Sequence, residues 1–116
     1  MLPAFFPYQE IHMKRIHFLA VLAGLTFTAG NALALDGAKL YQEKTCVACH
    51  GKDAKKTLTP NYPKLAGQNA AYAEQQMKDI KSGARANGQA AAMKGVMHLV
   101  NDAEIKALAE YLSKLK

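Results

Sequence analysis

Apolar residues recur at helical spacing in three stretches of the chain, and each stretch is bracketed by residues that start or stop helices. After Asn101, the positions Ile105, Leu108, Ala109, Leu112 and Leu115 keep to one helical face, and Asn101 with Glu104 three residues on has the form of a capping box. In "AAYAEQQMKDIKSG", 70–83, Ala73, Met77 and Ile80 form an apolar stripe, with Asn69 as the N-terminal cap and Gly83 as the stop. Asp36 is expected to cap a first helix that runs from about Gly37 into the turn at 46–49, with Gly37, Leu40 and Tyr41 on one face. No stretch shows the alternation of a strand. The pattern predicts one small all-α domain of about three main helices plus short helical turns. Pro60, Pro63 and Gly67 make "TLTPNYPKLAGQ", 57–68, a loop, and 83–100 reads as a connection rich in glycine and alanine.

The N-terminal segment has a different pattern. From Met13 the chain reads "MKRIHFLAVLAGLTFTAGNALALDG": a basic start at Lys14 and Arg15, an apolar run from Ile16 to Ala29, then Ala32-Leu33-Ala34 as a small-x-small cleavage site. The run is shorter than the ~20 residues that span a bilayer. Residues 1–34 are therefore expected to be a cleavable export signal to the periplasm, with removal after Ala34; an uncleaved membrane anchor is the alternative. Residues 1–12, with Pro3 and Pro7, read as lying upstream of a start at Met13. The domain is expected to occupy 35–116.

Composition narrows the partners. Fifteen basic and nine acidic side chains give a net of +6. Setting aside Lys14, Arg15 and Glu10 leaves 13 basic and 8 acidic side chains and a net of +5 in 35–116. The basic residues are scattered and aromatics are few, which argues against nucleic acid as a partner. A domain this short buries a modest share of its surface, so a bound apolar group at its centre would help it.

Chemistry concentrates in "TCVACHG", Thr45 to Gly51. On a helical turn Cys46, Cys49 and His50 share a face. C-x-x-C-H is the signature of covalent c-type haem attachment, in which both thiols add to the haem vinyls and the histidine ligates iron. A thioredoxin-like redox pair would need a βαβ context. Zinc would need four ligands, and Cys46, Cys49, His50 and His98 supply that set by count. The export signal favours haem, because c-type haem is attached to exported chains. An iron held by His50 has one further axial position, for which Met77, Met93, Met97 and His98 are the candidates. Met77 lies on a helical stripe, where methionine is a common gap-filler. Met93 and Met97 lie in the connection that can wrap the far side of a flat cofactor.

Over nearly all of 35–116 the chain resembles the class I c-type cytochromes, the small bacterial ones above all, and is similar to either half of the two-haem c-four type. The residues that carry the likeness are "CVACHG", "PNYPKLAGQNAAYAEQQMKDIKSGARAN" and "MKGVMHLVNDAEIKALAEYL". The resemblance implies the cytochrome c fold around one covalent haem c. It maps the axial methionine onto Met93, with Met97 as runner-up. It implies that the Pro63 carbonyl accepts the Nδ1 proton of His50, fixing its tautomer. Gly37 with Tyr41, and Leu108 with Tyr111, resemble the family's crossing of first and last helices. Tyr62, Gln68 and Arg85 resemble positions near the haem edge that contact propionates, Arg85 being the best charge partner.

Those assignments imply a one-electron carrier and no enzyme, since His50 and Met93 together leave no open position on the iron. Redox proteins, acidic or membrane-bound, are the expected partners of a monomer that takes no small-molecule substrate. Lys52, Lys55, Lys56 and Lys64 flank the attachment motif and could steer them. Two other readings stay open: a subunit of a larger oxidoreductase, or a sensor or peroxidase-like protein with an open sixth position.

Overall fold

A computed structural model describes residues 33–116, and all regular structure among them is helical. The elements are α1 (Gly37–Glu43), α2 (Cys46–His50), α3 (Ala70–Ser82), α4 (Ala90–Met97) and α5 (Asp102–Lys114). The expected export signal, 1–34, falls almost wholly outside the described residues. Among those described, no helix is long and apolar enough to cross a membrane.

Local chemistry sets most helix ends where the sequence predicts them. The Asp36 carboxylate accepts from the backbone N–H of Ala38 and Lys39 and starts α1. Asn69 accepts from the Tyr72 N–H and starts α3, which ends at Gly83 in the left-handed conformation (φ 88°). Asn101 and Glu104 form the full capping box of α5: the Glu104 N–H donates to Asn101 Oδ1 at 2.9 Å, and the Asn101 N–H donates to Glu104 Oε2 at 3.0 Å.

Two expectations are corrected. The first helix does not run on into the cysteine turn, because the chain breaks at Lys44–Thr45. Thr45 sits at φ 62°, a left-handed conformation that a β-branched residue adopts at a cost. The break makes α2 a helix separate from α1, against which it packs. The connection at 83–100 is also more ordered than its glycines suggest. "AAAMKGVM" coils into α4, where three successive alanines outweigh the cost of Gly95.

The core is built mainly on α3 and α5, with α1 crossing α5. Leu40, Tyr41, Met77, Ile80, Val100, Ile105, Leu108 and Leu112 are buried together. Gly37 makes the α1–α5 crossing possible. A Cβ there would lie 2.5 Å from both the Ala107 carbonyl oxygen and Tyr111 Cβ. The Tyr41 and Tyr111 rings pack at 5.8 Å between centroids beside it, as the sequence comparison of first and last helices implies.

Candidate functional site

The loop after α2 is an ordered scaffold. Gly51 leaves the helix at φ 84°, with the Lys56 carbonyl lying where a side chain would be. The Asp53 carboxylate accepts from the N–H of Lys55 and Lys56, both at 2.9 Å, and these bonds hold it below the usual carboxylate range. Ala54, fully buried at φ 57°, offers its carbonyl to the N–H of Leu65 and Ala66. The Leu58 N–H donates to the Cys49 carbonyl at 2.9 Å.

That scaffold brings Pro63 to His50. The His50 Nδ1 donates to the Pro63 carbonyl oxygen at 2.9 Å, since a carbonyl can only accept. The proton therefore resides on Nδ1, and Nε2 keeps its lone pair for an electrophile. His50 is buried, and the Tyr62 ring packs near it at 6.4 Å between centroids. From behind, the fully buried Tyr41 donates its hydroxyl to the Gly51 carbonyl at 2.7 Å, and burial pushes that phenol well above its ordinary range.

His50 lines a cavity of about 680 Å³. Cys46 and Cys49 line it with His50, and Met93 and Met97 of α4 line it as well. α2 packs on α1 and α4 packs on α3, with no contact between α2 and α4, so the cavity separates the two. Met77, Ile80, Val100, Leu108 and Leu112 contribute apolar surface between them. Tyr62, Gln68 and Arg85 all reach the cavity, with Arg85 Nη1 also donating to Gln76 Oε1 at 2.9 Å. Met97 is the more deeply buried of the two α4 methionines, at 2% exposed, and Met77, expected to fill the core, lines the cavity as well.

This chamber suits a flat apolar macrocycle with acidic side arms. Its donors are sulfur and imidazole, its lining is largely apolar, and it has Lys64 and Arg85 but no carboxylate among its lining residues. Burial pushes the Cys46 thiol up to about 11, so in the haem-free chain it stays protonated at neutral pH. A zinc site is not assembled. Among the described residues no three His, Cys, Asp or Glu side chains gather closely enough to hold a metal, and His98 lies in a separate surface hollow with Lys78, Lys81 and Asp102.

An all-helical domain that sets C-x-x-C-H against a methionine-bearing helix across an apolar chamber defines a covalent haem protein of the electron-transfer class. The chain belongs to the cytochrome c family, whose pattern it matches over residues 34–116. It is 36% identical to cytochrome c-553 of Nitratidesulfovibrio vulgaris over 104 residues, covering 89% of this chain and 100% of that protein. It is 35% identical over 111 residues to a thiosulfate dehydrogenase electron acceptor of Stutzerimonas stutzeri, covering 89% of this chain and 50% of that protein. Among solved structures, reduced recombinant cytochrome c4 from Pseudomonas stutzeri superposes with a TM-score of 0.63 at 33% identity, over 73% of this chain and 49% of that one. The chain thus spans the whole of one relative and about half of others. It carries one covalent haem c, with Cys46 and Cys49 present as its C-x-x-C pair, and its function is electron transfer.

The residues expected at the site, Cys46, Cys49, His50, Tyr62, Pro63, Gln68, Arg85, Met93 and Met97, all line this cavity, but the residues that aim them were not expected in that role. Thr45, Ala54 and Tyr41 bear no chemical signature, because their roles are a backbone angle, a pair of accepted hydrogen bonds and a buried prop.

Proposed function

We propose that the chain is a periplasmic carrier of single electrons in which His50 and Met93 are the axial ligands of the haem iron. The observation that carries this reading is the His50 Nδ1 bond to the Pro63 carbonyl, which leaves Nε2 as the donor in the chamber that Met93 also lines. Haem, when bound, supplies a ferric/ferrous couple and nothing that must be consumed. The protein does the rest. Cys46 and Cys49 tether the group, Pro63 orients the imidazole and strengthens it as a donor, and a methionine sulfur favours the reduced state. The apolar lining excludes water and disfavours the extra positive charge of the oxidised state. Tyr62, Gln68 and Arg85 are the donors for the propionates. Export would follow from residues 1–34, leaving a domain that begins at Leu35.

Electrons would pass near the attachment loop. Leu58 is exposed there, tied to Cys49 through its own N–H, and Lys52, Lys55, Lys56 and Lys64 are exposed in the same stretch. An apolar point within a field of ammonium groups fits an acidic redox partner and predicts association that slows as salt rises. The name of the Stutzerimonas stutzeri relative favours a second reading, in which a dehydrogenase delivers the electrons to this chain.

The test is spectroscopic. A reduced-minus-oxidised spectrum with a pyridine haemochrome assay reads attachment, and the weak far-red sulfur-to-iron band reads the methionine. Met93→Ala should abolish that band and admit cyanide quickly, whereas Met97→Ala should keep the band; the reverse result reassigns the ligand to Met97.

A further inference from the structure

α4 buries Ala90 and Met97 in the core but has few helical neighbours. Among the helices it packs on α3 alone, and its N-cap, Gln89, makes no side-chain capping bond. The turn that precedes it, 84–89, is exposed throughout. Its C-terminal end is different. Just beyond α4, the backbone of Leu99 and Val100 is gripped from two sides by lysines. Lys44, at the end of α1 and two residues before Cys46, donates from Nζ to the Leu99 carbonyl at 2.8 Å and lies 3.3 Å from Glu104 Oε2. Lys81, in the last turn of α3, donates from Nζ to the Val100 carbonyl at 2.6 Å and lies 3.8 Å from Asp102 Oδ1.

The lysine side chains are 24% and 29% exposed; Lys44 pairs with the well-covered Glu104 (16% exposed), whereas Asp102 is 78% exposed, so the hold of Lys81 rests on its bond to the Val100 carbonyl and not on that ion pair. A charged donor on a neutral carbonyl is stronger than an ordinary hydrogen bond. The carbonyls gripped follow the negative end of the α4 dipole, where cations are favoured. Leu99 points outward, 63% exposed, while Val100 is buried at 2%, so the lysines act on a segment that one core side chain already seats. The anchors come from the end of α1, just ahead of the cysteine helix, and from α3, on which α4 packs. Together they tie the methionine helix to both.

We propose that Lys44 and Lys81 are positioning residues for the axial methionine: by fixing the exit of α4 they hold the Met93 sulfur in place and keep external ligands off the iron. The proposal rests on Met93 being that ligand.

The test uses the haem-loaded protein and imidazole as the competing ligand. Lys44→Met and Lys81→Met keep the aliphatic stem and remove the ammonium. Each should tighten imidazole binding by about tenfold, equivalent to about 1.4 kcal/mol, with a larger gain in the double variant. Lys81→Arg, which restores a charged donor, should return most of the resistance. Amide exchange at Leu99 and Val100 should rise in the Met variants while that of Leu108 and Leu112 stays slow. Ile105→Val controls for general loss of stability: it should lower the melting point without changing imidazole affinity. Unchanged imidazole affinity in both single variants overturns the proposal, as does an affinity that tracks the melting point across all variants, Ile105→Val included. Met93→Ala separates the two claims. If that variant binds imidazole no better than the parent, the axial assignment fails; if it binds far better while the lysine variants do not, the assignment stands and the clamp is wrong.

Discussion

The two limbs that enclose the cavity are built on opposite principles. The limb from Cys46 to Pro63 is held by short-range bonds: Gly51 turns it, Asp53 caps two of its amides, Ala54 receives two more, and the His50–Pro63 bond closes it within thirteen residues. The limb from Ala90 to Val100 is a single helix on a single helical neighbour, secured at its exit by the buried Val100 and by lysines from 55 and 19 residues away. One limb is determined by its own sequence and the other by what it lands on. Cys46, Cys49 and His50 therefore sit in the half held by local bonds, and Met93 and Met97 sit in the half held by distant ones.

Glycine substitutions should break this contrast most sharply. Gly51→Ala places a side chain at positive φ against the Lys56 carbonyl, and should cost about 3 kcal/mol or more, a fall of roughly 15 °C in the melting temperature followed by circular dichroism. A fall of only a few degrees would show that the attachment loop is less constrained than its bonds imply. At the α5 capping box, which anchors the end of the methionine limb, Asn101→Ala should cost about 1 kcal/mol in chemical denaturation.

Gly95 lies in the interior of α4, with nothing within 4 Å of where its Cβ would be. Gly95→Ala should therefore stabilise by about 0.5–1 kcal/mol, the opposite sign to Gly51→Ala. Loss of stability there would mean that α4 is more tightly enclosed than its packing indicates.

The smallest effect concerns acid. Hydrogen bonds from the Lys56 and Lys55 amides hold the Asp53 carboxyl below its ordinary value, so its ionised form is favoured by folding. That contribution is present in full above about pH 4, the ordinary carboxylate range, and is lost as pH falls through the lower folded value. Asp53→Asn keeps an acceptor but not the titration, so the difference in stability between parent and variant should shrink as pH drops below about 4.

Much of the fold was legible along the chain. The caps at Asp36, Asn69 and Asn101 act on amides two or three residues away, and the stripes of α3 and α5 are written at helical spacing. α4 was obscured because Gly83, Gly88 and Gly95 suggested a loose connection, although only Gly95 interrupts the helix itself. The break at Thr45 had no signal, since threonine is an uncommon choice for a left-handed angle. Of the site, the Cys46, Cys49 and His50 triplet was readable from spacing alone. Pro63, Met93, Tyr62, Gln68 and Arg85 came from family likeness, and all of them line the one cavity.

The sequence by itself determined the chemistry of the attachment face and the capped helices, because each depends on neighbours a turn or so away, whereas Gly37 is required by Ala107 and Tyr111 of the last helix. Only the tertiary structure decided that α2 is a helix separate from α1 and that Lys44 and Lys81 converge on the exit of α4. A lysine bonded to a carbonyl 55 residues off leaves no periodicity in the chain, and its effect exists only once the helices have packed.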